Sequence, residues 1–231
     1  MLEKLQKSAR RESKLLVQGM MLNEINNAVA VHPQRFFREF PNRIINNIYF
    51  DNHLLSNFHD NVNGASERIK LRLRWYGDSL SLVKKPVFEV KIKKNMDGWK
   101  IQEPLDLEMD LASETHASVS QKVQDALPKE IREFLRQQPV PTLINNYERQ
   151  YFRTNDGIFR LTVDSNMAYY NQSYYDKPNF SFNNEVGPHD IIEVKVEREF
   201  ADDMGKVTQF LPFRITKSSK YVTGVESSLG M

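Results

Sequence analysis

Lys70, Arg72 and Arg74 alternate without a break with Ile69, Leu71, Leu73 and Trp75. Successive side chains of a β-strand point to opposite faces, so the three cations form a ladder on one side while the apolar residues pack on the other. Val87 to Lys93 repeats the pattern, with Glu89, Lys91 and Lys93 set against Val90 and Ile92. Glu12 and Lys14, Arg149, Arg160 and Asp164, and Glu193 and Lys195 take the polar positions of other predicted strands. Cross-strand neighbours stand about 5 Å apart, so such cations need a polyanion or interleaved carboxylates to offset their repulsion. Guanidinium groups fork onto phosphate oxygens and lysines act as point charges, a mixture suited to a row of phosphates. The interleaved glutamates supply the oxygen ligands that Mg²⁺ or Mn²⁺ takes together with a triphosphate.

These residues must be held by a β-rich framework. Strands are expected at Arg10 to Val17, Arg43 to Phe50, Ile69 to Trp75, Val87 to Lys93, Leu143 to Thr154, Ile158 to Ala168 and Ile191 to Val196. Asp156-Gly157 predicts a hairpin between two long strands, and Asp97-Gly98 predicts another, with Trp99 to Gln102 returning. Leu22, Ile25 and Val29 recur at helical spacing, and Pro33 is read as opening a short turn that carries Phe36, Phe37 and Phe40. Ser113 is read as the cap of a helix with Val119, Val123, Ala126 and Leu127 on its apolar stripe, and Ile131, Phe134 and Leu135 make a second stripe. Asn171 to Pro188 is too long for a simple turn and reads as either a working lid or a disordered insertion, and its Tyr174, Tyr175, Phe180 and Phe182 favour a segment that packs. At this level two architectures stay open. One is an antiparallel sheet with a single wet face; the other is a sheet of about eight strands closed around a narrow polyanion. Arginine in place of Lys, Thr or Gln at the central positions weighs toward the second.

Composition narrows the function classes. A formal net charge of +2 over 231 residues argues against a broad basic surface of the nucleic-acid kind, so any cationic site is local and balanced elsewhere. The absence of cysteine excludes disulfides, thiolate metal sites and cysteine nucleophiles, and fits a reducing compartment. No apolar run is long enough to span a bilayer and Met1 to Arg11 carries no apolar signal core, so a cytoplasmic chain is expected. Neither a Gly-x-x-x-x-Gly-Lys-Ser/Thr loop nor a Gly-x-Gly-x-x-Gly turn is present. His32, His53, His59, His116 and His189 are scattered without ligand spacing and read as surface or capping residues. Asp51 reads as a turn former, and Lys217 with Lys220 as either a solvated pair near a helix C-terminus or a phosphate contact.

Several segments together carry a family resemblance: Arg10-Arg11-Glu12-Ser13-Lys14, Asn46 to Asp51, Lys70-Leu71-Arg72-Leu73-Arg74-Trp75-Tyr76-Gly77, Phe88-Glu89-Val90-Lys91, Asn146-Tyr147-Glu148-Arg149, Arg160 to Asp164, Ile192 to Lys195 and Lys217-Ser218-Ser219-Lys220-Tyr221. In this order the chain resembles the polyphosphate polymerase domain of the vacuolar transporter chaperone (VTC) family, within the CYTH-like triphosphate tunnel metalloenzyme superfamily. The resemblance implies an α+β fold in which one domain over residues 1–231 forms an antiparallel β-barrel tunnel with helices packed outside. It implies transfer of the γ-phosphate of ATP to a growing inorganic polyphosphate chain, with Mn²⁺ or Mg²⁺ as cofactor and no nucleic-acid partner. Carried over by position, Arg72, Arg74, Lys91, Arg149 and Arg160 become catalytic, and Lys14, Lys70, Lys195, Lys217, Ser219 and Lys220 bind phosphate. Glu193 becomes the metal carboxylate, and the interleaved Glu12 and Glu89 are further metal candidates. The hydrolytic tunnel enzymes begin on a Glu-x-Glu-x-Lys strand, whereas Arg10 stands at the first of those positions here. This departure favours polymerase over the alternatives, a metal-dependent triphosphatase or nucleoside triphosphatase, or a non-catalytic polyphosphate- or nucleotide-binding module.

Overall fold

A computed structural model describes residues 10–95, 97–181, 183–184 and 189–229. The strands are β1 (Arg10–Gln18), β2 (Phe36–Asp51), β3 (Glu67–Tyr76), β4 (Leu82–Lys84), β5 (Val87–Lys94), β6 (Asp97–Pro104), β7 (Glu108–Asp110), β8 (Val140–Thr154), β9 (Phe159–Asn171), β10 (Asn183–Asn184), β11 (His189–Glu197) and β12 (Arg214–Thr216). The α-helices are α1 (Leu22–Ala30), α2 (Ser56–Val62), α3 (His116–Ala126), α4 (Lys129–Gln137), α5 (Gly205–Thr208) and α6 (Lys220–Leu229), with 3-10 turns at Leu111–Ser113 and Arg198–Met204. The fold is α+β and is built on one large antiparallel sheet, hydrogen-bonded in the order β12-β1-β11-β9-β8-β2-β3-β5-β6 with β10 on β9; β4 and β7 pair separately. No described helix is long and apolar enough to cross a membrane.

The chain divides into two compact units: Met1–Arg43, Tyr147–Met167 and Gly187–Ser219 form the first, and Ile44–Asn146, Ala168–Val186 and Lys220–Met231 the second. In the first, Leu15, Val17, Leu161, Val163, Ile192 and Val194 are buried on one sheet face, in one cluster with Ile25 and Val29 of α1 and Val207 of α5. In the second, Leu71, Leu73, Trp75, Phe88 and Val90 occupy the apolar face, clustered with Val119 and Val123 of α3 and Ile131 and Leu135 of α4. Period-two alternation therefore does the same work in both units: each helical layer takes the apolar face and leaves the charged face to the other side.

Several local expectations are corrected. Phe36 and Phe37 start β2, and Phe40 lies within it, instead of riding on a turn; the aromatic residues extend the pleated strand, which runs through Pro41. The hairpin between β5 and β6 turns ahead of Asp97-Gly98, because Lys94 pairs with Asp97 and Lys93 with Gly98; Asn95 takes the left-handed backbone (φ 54°) that a tight turn needs. Met96 lies outside the described residues. Thr115, not Ser113, caps α3 by accepting the Ser118 N–H, while Asp110 caps the short 3-10 turn that contains Ser113. His32 is a core residue: it is buried, contacts the Val207 carbonyl through Nε2 at 3.0 Å and meets Phe36 and Phe210 edge-on. Lys217 and Lys220 lie at the start of α6, not at a helix C-terminus. In the 171–188 segment, Gln172 bonds Asn179 at both its backbone N–H and carbonyl, and Phe180 packs on the second core. Phe182 and residues 185–188 lie outside the described residues.

Candidate functional site

Each unit carries its own charged cluster. In the second unit, antiparallel register sets Arg72 opposite Glu89 and Lys70 opposite Lys91, and sets Lys91 opposite Lys100 of β6. Glu89 is only 2 % exposed and is the hub. Its carboxylate accepts from Arg72 Nε, contacts Arg74 at 3.4 Å and Lys100 Nζ at 2.5 Å, and accepts from Gln102 Nε2 at 3.0 Å. Burial alone would push the Glu89 carboxyl up, but Arg72, Arg74 and Lys100 hold it well below the usual carboxylate range. Burial also depresses Lys100, and the neighbouring arginines add to this against the pull of Glu89, leaving its pKa at about 8. Tyr49 Oη lies 3.3 Å from Arg72, and Asn47 Oδ1 accepts from Arg74 Nε at 3.1 Å while the Asn47 amide donates to Asn145 at 2.9 Å. The guanidinium groups are thus fixed from β2 and β5, which spares the entropy of ordering them around a ligand.

A buried anchor lies at the end of β2. Asp51 accepts backbone N–H groups of Asn52, Asn57 and Phe58 at the start of α2, and Tyr221 of α6 donates its hydroxyl to Asp51 at 2.6 Å. Burial, with the Asp51 carboxylate beside it, pushes the Tyr221 phenol far above its ordinary value. The Tyr221 ring stacks on Tyr49 with centroids 5.2 Å apart, so the Lys220 end of α6 is tied to the residue that touches Arg72. Asp51 is a helix-capping anchor, more than a turn former.

In the first unit, Glu12 pairs across the ladder with Lys195 and Lys14 with Glu193, and Lys195 is opposite Arg160 on β9. Glu193 lies 2.6 Å from Lys195 Nζ, 3.7 Å from Lys14 Nζ and 4.0 Å from Arg149, and Lys14 Nζ also lies 3.5 Å from Glu12. Burial opposes ionisation of Glu193, yet Lys195 and Lys14, with Arg149, hold it well below the ordinary range. Arg149 forks onto Asp164 at 2.5 and 2.6 Å, and its guanidinium lies 5.4 Å from the Tyr147 ring centroid. Against its desolvation, Asp164 leads the groups that keep Arg149 firmly protonated. Arg160 is more exposed and sits 3.9 Å from Glu197. Lys14 also donates to the Ser218 carbonyl at 3.0 Å, next to Lys217 and Ser219.

The structure brings Arg72, Arg74 and Glu89 together in one unit, with Lys70 and Lys91 at neighbouring ladder positions. It brings Glu12, Lys14, Arg149, Glu193 and Lys195 together in the other. Lys100, Gln102, Tyr49 and Asn47 complete the second-unit cluster and were not picked out from the sequence. The Trp99-Lys100-Ile101-Gln102 alternation carried the signal, because it places Lys100 and Gln102 on one face. Tyr49 and Asn47 share the parity of Asp51 on β2, but nothing in their types marked them as partners of arginines. No group of three or more His, Asp or Glu that could hold a metal ion is found among the described residues. The donor chemistry nevertheless differs between the clusters. The Glu89 oxygens are engaged by two guanidiniums, an ammonium and an amide. Glu12 and Glu193 share Lys14, at 3.5 and 3.7 Å, and so bring two carboxylates to one place, a donor set that fits a divalent cation.

Among solved structures, a protein from Vibrio parahaemolyticus described as a candidate adenylate cyclase matches with a TM-score of 0.54 at 12% identity, over 94% of this chain and 98% of that one. The PH1819 protein from Pyrococcus horikoshii OT3 matches with a TM-score of 0.46 at 12% identity, also over 94% of this chain and 98% of that one. The Vibrio likeness shows a shared fold. No protein with a curated description matches the chain. The VTC domain model matches residues 9–229, nearly the whole length, and takes in both charged clusters: the chain belongs to the VTC domain family.

Proposed function

We propose that this VTC domain is an ATP-dependent polyphosphate polymerase acting as a single functional domain in a reducing, cytoplasmic setting, with the β-barrel tunnel of its family as the path of the phosphate chain. The observation that carries the reading is the second-unit cluster, where two arginines and Lys100 share one carboxylate, Glu89. The excess positive charge is fixed in place and is matched by an anionic ligand with many oxygens. A terminal phosphate oxygen of the acceptor attacks the γ-phosphorus in line, a new P–O bond forms, the β–γ bridge breaks and ADP leaves. Such a transfer asks the protein for alignment and charge neutralisation, with no covalent intermediate on a side chain.

In this reading Arg72 and Arg74, with Lys70 and Lys91 beside them on the ladder, hold phosphoryl oxygens, and Glu89 serves to orient the two guanidiniums instead of binding metal. Within the first unit Arg149, held by Asp164, binds phosphate with Arg160, Lys14, Lys195, Lys217 and Ser219, and within the second Lys220 does so at the start of α6. Glu193 and Glu12 would hold Mn²⁺ or Mg²⁺. When bound, that ion supplies charge neutralisation and orientation of phosphate oxygens. Lys14, which pairs with both carboxylates, and Lys195, which pairs with Glu193, hold them in place.

The test is incubation with ATP and Mn²⁺ followed by product analysis. Long acid-labile chains are expected. Orthophosphate alone would assign a triphosphatase, and tight binding without turnover a binding module. Arg72→Ala is expected to abolish polymer while leaving the circular dichroism spectrum unchanged; an active, well-folded variant refutes the assignment.

A further inference from the structure

On β8, Arg149, Tyr151 and Arg153 alternate with Gln150, Phe152 and Thr154, and Phe152 is buried in the first-unit core. Tyr151 therefore shares the face of Arg149, one pleat repeat or about 7 Å along the strand. It does not stand alone. The Phe40 ring of β2 meets Tyr151 edge-on with centroids 5.8 Å apart, and the Arg43 guanidinium lies 5.3 Å from the Phe40 centroid and 5.5 Å from that of Tyr151. All four residues belong to the first unit. Phe40 is 44 % exposed, and Arg43 is exposed too. A strand that only closed a core would place its aromatics inward, as Phe36 and Phe152 are placed. Here an exposed ring, a half-buried one and an exposed planar cation lie together, next to an arginine assigned above to phosphate.

We propose that Phe40, Arg43 and Tyr151 form the nucleobase subsite for the ATP of the reaction above, a site resting on that reading. The chemistry fits a purine. Its π-face stacks on an aromatic ring or on a guanidinium plane, and such stacking discriminates little among bases. The ribose then covers the step along β8 from Tyr151 to Arg149, which delivers the phosphates to the charged face. Inorganic polyphosphate has no group for these rings, so the subsite distinguishes the nucleotide donor from the phosphate acceptor. Discrimination of that kind allows a polymerase to bind ATP in the presence of its own product.

The test compares binding of ATP and inorganic tripolyphosphate to the full chain by calorimetry, with Tyr151→Ala, Phe40→Ala and Tyr151→Phe. Wild type is expected to prefer ATP. Tyr151→Ala and Phe40→Ala should each weaken ATP binding by roughly ten-fold while leaving tripolyphosphate affinity unchanged, and Tyr151→Phe should retain the preference. Phe40 is exposed, so its variant serves if Tyr151→Ala folds poorly. Equal affinity of wild type for the two ligands, unchanged ATP binding in both alanine variants, or equal weakening of both ligands would overturn the subsite. A wild type that binds ATP but not tripolyphosphate would retain the base site and overturn the polyphosphate reading instead. One that binds neither overturns both.

Discussion

Glu89→Gln isolates the hub of the second-unit cluster. In the wild type one buried carboxylate faces Arg72, Arg74 and Lys100, and Gln102 completes its hydrogen bonds. The substitution keeps the shape and removes the charge, which leaves three cations crowded on neighbouring strands with no compensating anion. Removing one partner of a buried ion pair costs about 3 kcal/mol, and in a chain of this length that lowers Tm by about 6 to 12 °C. The sign of the pH dependence follows from the depressed carboxyl. The Glu89 contribution is present above the ordinary carboxylate range and is lost as pH falls below it, so the Tm difference between wild type and variant narrows on acidification. An added polyanion separates this account from simple loss of packing. Saturating tripolyphosphate supplies the missing negative charge and should stabilise Glu89→Gln more than wild type, shrinking the deficit. Differential scanning fluorimetry with and without tripolyphosphate, at neutral and acid pH, reads all three effects. A variant as stable as wild type without anion, or a deficit that tripolyphosphate leaves untouched, would refute the charge argument.

Two further outcomes follow from the same geometry. Lys100 loses its proton near pH 8, so tripolyphosphate affinity should fall between pH 7 and pH 9, and Lys100→Arg, which stays charged, should flatten that dependence in a binding titration. For stability the sign is opposite: the fold binds this proton less tightly than the unfolded chain, so the cost of charged Lys100 is relieved as pH rises from about 8 toward the normal lysine range. Gly224→Ala sets helix propensity against packing in α6. Propensity favours alanine by about 1 kcal/mol, but its Cβ would meet Leu143 Cδ2 at 2.5 Å and Tyr169 Cδ1 at 2.6 Å, so thermal denaturation should show a net loss of about 1 to 2 kcal/mol.

Sequence alone determined the charged faces. The alternation of Lys70, Arg72 and Arg74 with Leu71, Leu73 and Trp75 leaves no freedom about which side chains share a side, because a strand has a period of two and one face must be buried. The same rule fixed Lys14 with Glu12 and Glu193 with Lys195, as well as the Asp156-Gly157 hairpin, whose Gly157 takes the left-handed backbone (φ 74°). Register across strands was decided elsewhere. Asp97-Gly98 reads as the turn itself, and only the pairing of β6 on β5 drew it into the ladder and set Gln102 opposite Glu89 and Lys100 opposite Lys91. Tertiary structure likewise decided that Glu89 is a hub and that Glu12 and Glu193 share Lys14. It also decided that Tyr221, far along the chain, reaches Asp51 beside the cationic strand. Each of these depends on how distant strands and helices pack, and a local pattern encodes only which face a side chain takes, not the partner it finds there.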